Sequence, residues 1–352
     1  MNKGTPNKPA YETGEVRVGI TAPDTTWIKA DGSTVSISTP LGNKLYKAQY
    51  FVWATQTSQF GANLISSVAY GNGLWVAGGT GGALRTSTDA ITWVTRTSTF
   101  GTSQITSVAY GNSLWVAGGT GVAADNFVRS STDAINWVTR TAHVTSVYSV
   151  AYGNGLWVIG GLGGTIRTST DAINWVTRTS QFTTSTINSI AYGNLWVFAG
   201  QAGLLRTSTD AINWVTQNPQ SGSTFQSVAY GNGVWVAGGA SGTIRTSTDA
   251  INWVTRTSQF GTTTIRSVAY GNSLWVAGGD SGTLRTSTDA ITWVTQTSQF
   301  GTSGILSVAY GNGLWVAGGG SGTLRTLDST NLTRSQLPSI FFGNNIWGWI
   351  KK

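Results

Sequence analysis

The stretch SVAYGNGLWVAGGTGGALRTSTDAITWVTRTSTFG, residues 67–101, carries the pattern that decides the fold. It opens with an apolar run, Ser67–Tyr70, followed by Asn72 and Gly73, a pair that favours the positive φ angles of a tight hairpin turn. The next run, Leu74–Ala77, is apolar on both faces, because successive side chains of a strand point to opposite sides. A strand of this kind has to be covered on both sides.

Two further strand candidates complete the unit, which we describe as strands A to D. In strand C, the side chain of Leu84 points inward and that of Arg85 points to the opposite face. Strand D runs through Ile91–Val94 with side chains that alternate between the two faces. Polarity rises from strand B to strand D. We therefore expect strand D at the outer edge of its sheet.

The same unit occurs seven times. Its tetrapeptide Ala-Tyr-Gly-Asn recurs every 38 to 42 residues, at Ala69, Ala109, Ala151, Ala191, Ala229, Ala269 and Ala309. The absence of a 3.6-residue periodicity excludes a helical solenoid, and the Asn-Gly hairpins disfavour a parallel β-helix. Sheets with two apolar faces must stack on both sides, and a ring gives every sheet two neighbours. The sequence predicts an all-β propeller of four-stranded antiparallel blades.

The chain ends predict how the ring closes. Residues 339–347 repeat strands A and B an eighth time, and strands C and D of that unit are missing before Lys352. Near the other end, Lys44–Lys47 matches strand C and Tyr50–Gly61 matches strand D with its loop. We expect eight blades, the last composed of residues 339–352 and 43–57, because pairing the chain ends removes open sheet edges. Seven blades is the alternative.

The segment Ser87–Trp93, Ser-Thr-Asp-Ala-Ile-Thr-Trp, resembles the Asp-box of sialidase-like and photosystem II assembly factor-like propellers. It is one residue shorter than the usual box and lacks its central glycine. The resemblance implies a structural role, in which the Asp accepts hydrogen bonds from turn N–H groups and the Trp anchors the hairpin. The Asp recurs at Asp133, Asp171, Asp210, Asp249 and Asp289, and at Asp328 in a copy with Leu332 in place of Trp.

Residues 1–42 do not follow the repeat, and we expect them to form an arm that precedes a propeller of residues 43–352. Four of the chain's six prolines fall in this arm. Within it, Thr21–Ser36 resembles the Ala-Pro-x-x-Trp-x-x-x-Asp-Gly-Ser-x-Val-Ser stretch of collar-type domains of bacteriophage tail fibres. The resemblance implies a virion protein whose arm docks onto a tail or fibre. The alternative is a short hairpin that plugs one propeller face.

The sequence predicts a protein that is not an enzyme. Hydrolysis of a glycosidic bond usually needs paired carboxylates, but both glutamates, Glu12 and Glu15, lie in the arm. Outside the arm and the repeated turn only Asp125 and Asp280 remain, in loops of different blades. A single histidine, His143, and no cysteine give no metal-site pattern. We expect no cofactor and no metal.

Charge and hydropathy bear on partners and location. The net charge is +8, but all seven lysines lie near the two chain ends and the arginines are spread over the repeats, so no basic patch for nucleic acid is expected. Residues 1–20 lack the apolar core of a signal peptide, and no apolar run reaches eighteen residues. We expect synthesis in a host cytoplasm, no membrane insertion, and a final location in the virion.

Differences between the units predict the binding surface. The A–B and C–D turns are nearly constant, whereas the B–C and D–A loops vary, and both variable sets lie on one face of a propeller. Candidate ligand-binding residues on these loops are Asp125, Asn126 and Asp280, and an aromatic set of Phe60, Phe100, Phe182, Phe260 and Phe300. Protruding rings would stack on a sugar, and the alternative places them between blades. We expect the strand-C arginines to pair with turn aspartates or backbone carbonyls.

These observations predict a binding or structural propeller. The leading interpretation is a bacteriophage tail or fibre protein, joined to other virion proteins by its arm, that contacts a host-surface glycan or another virion protein. The alternatives are a free multivalent lectin and a protein-binding assembly factor.

Overall fold

The computed structural model describes residues 53–121, 127–179, 185–217 and 222–328. Within these ranges the strands form seven antiparallel sheets of four strands each. The strands in chain order are β1 (Ala54–Gln56); β2 (Ile65–Gly71), β3 (Leu74–Gly79), β4 (Leu84–Ser87), β5 (Val94–Arg96); β6 (Gln104–Gly111), β7 (Leu114–Thr120), β8 (Val128–Ser131), β9 (Val138–Arg140); β10 (Val147–Gly153), β11 (Leu156–Gly161), β12 (Ile166–Ser169), β13 (Val176–Arg178); β14 (Ile187–Tyr192), β15 (Trp196–Gly200), β16 (Leu205–Ser208), β17 (Val215–Gln217); β18 (Phe225–Gly231), β19 (Val234–Gly239), β20 (Ile244–Ser247), β21 (Val254–Arg256); β22 (Ile265–Gly271), β23 (Leu274–Gly279), β24 (Leu284–Ser287), β25 (Val294–Gln296); and β26 (Ile305–Gly311), β27 (Leu314–Gly319), β28 (Leu324–Asp328).

The seven sheets are the blades of a propeller, numbered 1 to 7 from β2. The first strand of each blade, strand A, packs against the strands A of both neighbours, so it is the innermost strand. The last strand, D, lies at the outer edge, as the rise in polarity predicts. Six B–C loops contain a short 3-10 turn, at Thr80–Gly82, Leu162–Gly164, Gln201–Gly203, Ala240–Gly242, Asp280–Gly282 and Gly320–Gly322.

The ring has seven blades, which confirms the alternative count, and the preferred count of eight is wrong. Strand β2 of blade 1 packs directly on β26 and β27 of blade 7. At this interface Ile65 lies against Gly318 as Ile105 lies against Gly78 between blades 1 and 2. Because the first and seventh units already make the standard contact, no gap remains for another sheet between them.

The closing blade takes its outer strand from the N-terminal side of the chain. Strand β1 pairs antiparallel with β28, with Ala54 opposite Thr326 and Gln56 opposite Leu324. Gln56 Nε2 donates to Thr326 Oγ1 at 2.7 Å. The predicted closing blade of residues 339–352 and 43–57 is therefore replaced by residues 54–56 and 305–328. Trp53 is fully buried and supplies the tryptophan that Leu332 replaces in the seventh unit. Residues 1–52 and 329–352 lie outside the described ranges, so the arm and its boundary at residue 42 stay predictions.

The core consists of seven clusters between blades rather than one centre. Between blades 1 and 2, for example, Val76 and Leu84 pack with Ile105 and Trp115. Strand B therefore buries both of its faces, as its apolar pattern predicts. The close approach of strands A requires glycine at one position, because a Cβ on Gly71 would lie 2.3 Å from Tyr110 of the next blade.

Local turn chemistry explains the two hairpins of blade 1. Asn72 and Gly73 adopt φ values of 47° and 74°, the left-handed pair that the A–B turn requires. At the C–D hairpin, strand D begins at Val94, three residues later than predicted, and Ile91 lies in the turn with 56% of its surface exposed. Ala90 in this turn has a φ of 60°, a conformation that glycine adopts more easily.

Candidate functional site

The two kinds of variable loop meet on one face, as the sequence predicts. Strands A to D alternate in direction, so the A–B and C–D turns lie on one face and the B–C and D–A loops on the other. Ser98 Oγ in a D–A loop donates to Gly82 O in the B–C loop of the same blade, at 2.7 Å. Ser298 Oγ and Gly282 O repeat this contact at 2.6 Å. We call this side the loop face.

Strand A carries a β-bulge at the same place in all seven blades. In blade 1, Ile65 pairs with Gly79 and Ser67 pairs with Gly78, so Ser66 has no partner in the ladder. The same register shift occurs in the other six A–B pairs. A bulged residue is released from cross-strand pairing and its side chain is re-aimed. The backbone at this position therefore does not depend on one side-chain type.

The bulge position holds a different residue type in every blade, whereas the Ala-Tyr pair that follows on the same strand is constant. We call these seven residues the variable ring. All are half-buried and lie on the innermost strands, at the end next to the loop face. They are Ser66, Thr106, Tyr148, Asn188, Gln226, Arg266 and Leu306.

Hydrogen bonds tie several members of the variable ring to the neighbouring blade. Gln104 Nε2 of blade 2 donates to Ser66 Oγ of blade 1 at 2.8 Å. Asn188 Nδ2 of blade 4 donates to Phe225 O of blade 5 at 2.8 Å. With the bond from Thr106 Oγ1 to Val147 O, they connect ring residues to the inner strand of the neighbouring blade at three of the seven junctions.

The loop face around the ring is chemically uneven. In blade 6, Arg266 forms an ion pair with Asp280, with Nε to Oδ1 at 2.7 Å and Nη2 to Oδ2 at 2.9 Å. Asp280, a predicted site residue, therefore lies beside the ring with its charge balanced. Leu64 of blade 1 and Leu162 of blade 3 expose 37% and 48% of their surface on the same face. The loop face thus carries both an ion pair and exposed aliphatic groups.

The predicted aromatic set lies below the surface. Four of its members are between 2% and 5% exposed, in agreement with the alternative placement between blades: Phe60, Phe100, Phe260 and Phe300. Each ring carries an arginine guanidinium 4.5 to 5.2 Å from its centroid. A buried ring covered in this way has no free face for a sugar. Phe182, Asp125 and Asn126 lie outside the described residues.

The strand-C arginines hold the D–A loops by backbone carbonyls, one of the two predicted modes. Arg85 donates from Nη2 to Gln59 O at 2.8 Å and from Nη1 to Leu84 O at 2.9 Å. Arg285 and Arg325 repeat this arrangement with Gln259 and Gln299. Burial lowers the pKa of Arg85, but a guanidinium keeps its charge. These arginines fix loop positions.

The repeated aspartates close the C–D turns. Asp89 Oδ1 accepts hydrogen bonds from the backbone N–H groups of Thr92 and Ile91, at 2.7 and 2.8 Å, and from Ser87 Oγ. The bonds from Thr92 and Ile91 lower the pKa of Asp89 to about 2. Trp93 Nε1 donates to Ala90 O at 3.0 Å and packs into the blade. The carboxylate is thus committed to the turn, on the face opposite the variable ring.

Among the described residues, no three His, Cys, Asp or Glu side chains lie close enough to hold a metal ion. No helix in those ranges is long and apolar enough to span a membrane.

The variable ring was not among the predicted sites, although its signal is present in the sequence. When the seven units are aligned, the position three residues before the alanine of Ala-Tyr-Gly-Asn holds seven residue types. This position falls inside an inner strand, where packing usually decides residue type, so its variation did not indicate a site. The bulge in the structure shows that packing does not decide the residue type at this position.

Comparisons with known proteins bear on the fold. No family model matches the chain, and no curated protein matches it. Among solved structures, the chain is similar to YCF48 from Cyanidioschyzon merolae, with a TM-score of 0.63, 14% identity, and coverage of 80% of this chain and 99% of that one. The chain is also similar to YCF48 bound to D1 peptide, with a TM-score of 0.65, 15% identity, and coverage of 79% of this chain and 95% of that one. A third similar structure is a catalytically inactive virginiamycin B lyase from Staphylococcus aureus with quinupristin. Its TM-score is 0.69 and its identity 10%, and the match covers 79% of this chain and 99% of that one. At these identities the likeness shows the fold alone.

Proposed function

We propose that this protein is a non-catalytic propeller that binds a polypeptide segment of a partner protein at the variable ring. The observation that carries the proposal is the ring itself, seven different side chains at one bulged position of otherwise near-identical blades. A rigid scaffold with one freely varied position per blade is suited to recognition, because the contact residues change without disturbing the core.

The variety of the ring favours a polypeptide over a repeating ligand. A nucleic acid or a regular glycan presents the same group at each step, and repeated blades would meet it with repeated residues. The ring instead offers hydroxyl, amide, phenol, guanidinium and isobutyl groups. Its one cation, Arg266, is already paired with Asp280. Such a surface complements the mixed main-chain and side-chain groups of a protein segment.

A structural neighbour offers independent support. One of the similar propellers was solved bound to a peptide, which makes peptide binding a reasonable use of this fold. The similarity concerns shape, so the identity of that peptide is not carried over to this chain.

The test is selection of binding peptides from a random-sequence library displayed on ribosomes, with the full chain as target. Isolated peptides are then measured by calorimetry against the unmodified chain, Tyr148→Ser and Leu306→Ser, with Ile91→Ser on the opposite face as control. We expect the ring variants to weaken binding by roughly tenfold or more, as loss of a central contact does, and the control to leave it unchanged. Equal binding by the ring variants, or loss only in Ile91→Ser, would contradict the proposal.

The wider assignment to a bacteriophage virion rests on the resemblance of Thr21–Ser36 to collar domains. In that setting, the arm joins other virion proteins and the propeller contacts the partner. Deleting residues 1–42 and measuring incorporation into particles tests this part separately. Normal incorporation of the truncated chain would remove the virion role of the arm and leave the ring proposal intact.

A further inference from the structure

The outer wall between blades 2 and 3 differs from the other described interblade walls in the exposure of its turn tryptophan. The turn tryptophans of blades 1, 2, 5 and 6 are at most 8% exposed, and each donates from Nε1 to the carbonyl oxygen of the turn alanine three residues before it, at 2.9 to 3.3 Å. In blade 3, Trp175 is only half-buried, and its Nε1 has no hydrogen-bond partner among the described residues.

A larger strand-B residue accompanies the change at the indole in blades 3 and 4. Blades 1, 2, 5 and 6 have alanine at the strand-B position that packs with the turn tryptophan, for example Ala77 with Trp93. Blade 3 has Ile159 there, in the cluster against which Trp175 packs. Blade 4 has Phe198, and Trp214 of that blade has also lost its Nε1 bond. The larger side chain takes up space that lies beside the indole where the strand-B residue is alanine.

Blades 3 and 4 differ in what covers the displaced indole. Phe198 stacks on Trp214, with ring centroids 3.6 Å apart and an interplanar angle of 19°, and Trp214 is 4% exposed. Ile159 offers no such ring, and the preceding D–A loop carries Val144 where five of the six other loops have phenylalanine. Trp175 therefore lines a groove of about 440 Å³, a size that suits a small ligand.

Polar and apolar groups line the groove beside this indole, the apolar ones being Ile173 and Val176, 47% and 50% exposed. The wall contributed by blade 2 carries Thr139, Arg140, Thr141 and His143, and Asn174 lies beside the indole. Arg140 is positioned by its Nε, which donates to Ser130 Oγ at 2.7 Å. Arg167 Nη2 donates to His143 O at 2.7 Å and fixes the loop that carries the imidazole. The groove thus combines an aromatic surface with oriented donors and acceptors, and Asn174 Nδ2 donates to Asp171 Oδ2 at 2.8 Å, which leaves Asn174 Oδ1 to face a ligand.

We propose that this groove is a second binding site, separate from the variable ring, and that it takes a sugar unit bearing a carboxylate. An indole suits the apolar face of a pyranose ring, and hydroxyl, amide and imidazole groups suit the alternating donors and acceptors of sugar hydroxyls. Arg140 suits a carboxylate, because a guanidinium forms charge-assisted hydrogen bonds to it. An apolar peptide side chain would cover Ile173, Val176 and the indole but would leave the hydroxyl, imidazole and guanidinium groups of the blade 2 wall without partners, which disfavours a peptide here.

The test measures binding of purified hyaluronan and polygalacturonate oligosaccharides to the full chain by calorimetry, with cello-oligosaccharides as the neutral comparison. We expect an acidic oligosaccharide to bind, Trp175→Ala to weaken binding by about tenfold or more, and Arg140→Gln to reduce the preference for the acidic sugar. Thermal unfolding and size-exclusion chromatography check that each variant is folded.

Ile159→Ala is the sharper variant, because Ile159 is buried in the cluster against which Trp175 packs and does not line the groove. Restoring alanine gives the indole the space it has in blade 1, so Trp175 should turn inward, bond to Ala172 O and close the groove. Sugar binding should then be lost in a folded protein that still binds peptides selected on the variable ring. No binding of either acidic oligosaccharide, or unchanged binding by both Ile159→Ala and Arg140→Gln, would overturn the proposal without affecting the ring proposal.

Discussion

The backbone N–H of Val68 donates a hydrogen bond to Ser307 Oγ at 3.0 Å, although the two residues are 239 positions apart. This bond is the seventh member of a set that joins each blade to the next. Its other members run from Val108 to Ser67, Val150 to Ser107, Ile190 to Ser149, Val228 to Ser189, Val268 to Ser227 and Val308 to Ser267, at 2.9 to 3.1 Å. The set closes on itself, so the first and last units make the same contact as any internal pair.

Replacing the serine that accepts this bond at the closing interface should lower the free energy of unfolding as much as replacing the equivalent serine at an internal interface. We expect Ser307→Ala and Ser67→Ala each to lower the free energy of unfolding by about 1–2 kcal/mol, because each leaves a buried N–H without an acceptor. Urea denaturation of both variants measures this. A closing-interface variant that unfolds like the unmodified chain, beside a destabilised Ser67→Ala, would show that the ring is open in solution.

The bulge predicts that substitutions at two adjacent positions of strand A change the free energy of unfolding by very different amounts. Gln226→Ser should change the free energy of unfolding by less than about 0.5 kcal/mol, because Gln226 is released from the ladder. Ser227→Ala should cost about 1–2 kcal/mol, because Ser227 Oγ accepts the bond from Val268 at 3.0 Å. Thermal and urea unfolding of the pair provide the comparison. Equal costs would mean that the bulge position is structural.

Glycine at the inner strand permits the close packing of neighbouring blades. Gly71→Ala places a Cβ 2.3 Å from a ring atom of Tyr110, and we expect it to destabilise the protein by about 1–3 kcal/mol through overpacking. Gly222→Ala is the matched control, since a methyl group at Gly222 would have no other atom within 4 Å. Calorimetric melting should separate the two variants, and similar melting temperatures would refute the packing argument.

Trp53 is expected to be as important as the turn tryptophan of an internal blade. It is fully buried although it precedes the first complete unit. Trp53→Ala should cost about 3–5 kcal/mol, as should Trp93→Ala, because each leaves a large cavity. Ala54→Ser on the exposed side of β1 serves as control and should be nearly neutral. A harmless Trp53→Ala, measured by urea denaturation, would place another segment at the outer edge of blade 7.

The C–D turns predict a dependence of stability on acid. The folded pKa of Asp89 is about 2, below the value of about 3.9 for an unfolded chain, so the unfolded state binds the proton more readily. The stability that this carboxylate contributes is present above about pH 4 and is lost as the pH falls towards 2. Asp89→Asn should therefore melt earlier than the unmodified chain at pH 7, and the gap should narrow between pH 4 and 2. Melting curves at fixed ionic strength test this, and a constant gap would contradict it.

The sequence by itself determined the repeating unit and most of its chemistry. Asn72 and Gly73 specify the hairpin because few other pairs accept two positive φ angles, and the two apolar faces of Leu74–Ala77 require stacking on both sides. The same local logic placed the turn aspartates and the order of the strands. These features depend on neighbouring residues, which a single unit already contains.

The tertiary structure alone decided the number of blades, the burial of the phenylalanines and the location of the candidate sites. Blade number depends on how neighbouring sheets pack, and the contact of Ile65 with Gly318 closes the ring at seven despite an eighth partial copy in the sequence. The bulge at Ser66 lies within the A–B pair of one blade, and Trp175 packs against the cluster that contains Ile159 of its own blade, so both depend on how strands of one unit are placed in space. Because the contact that closes the ring joins different blades, no pattern within one unit reveals the number of blades.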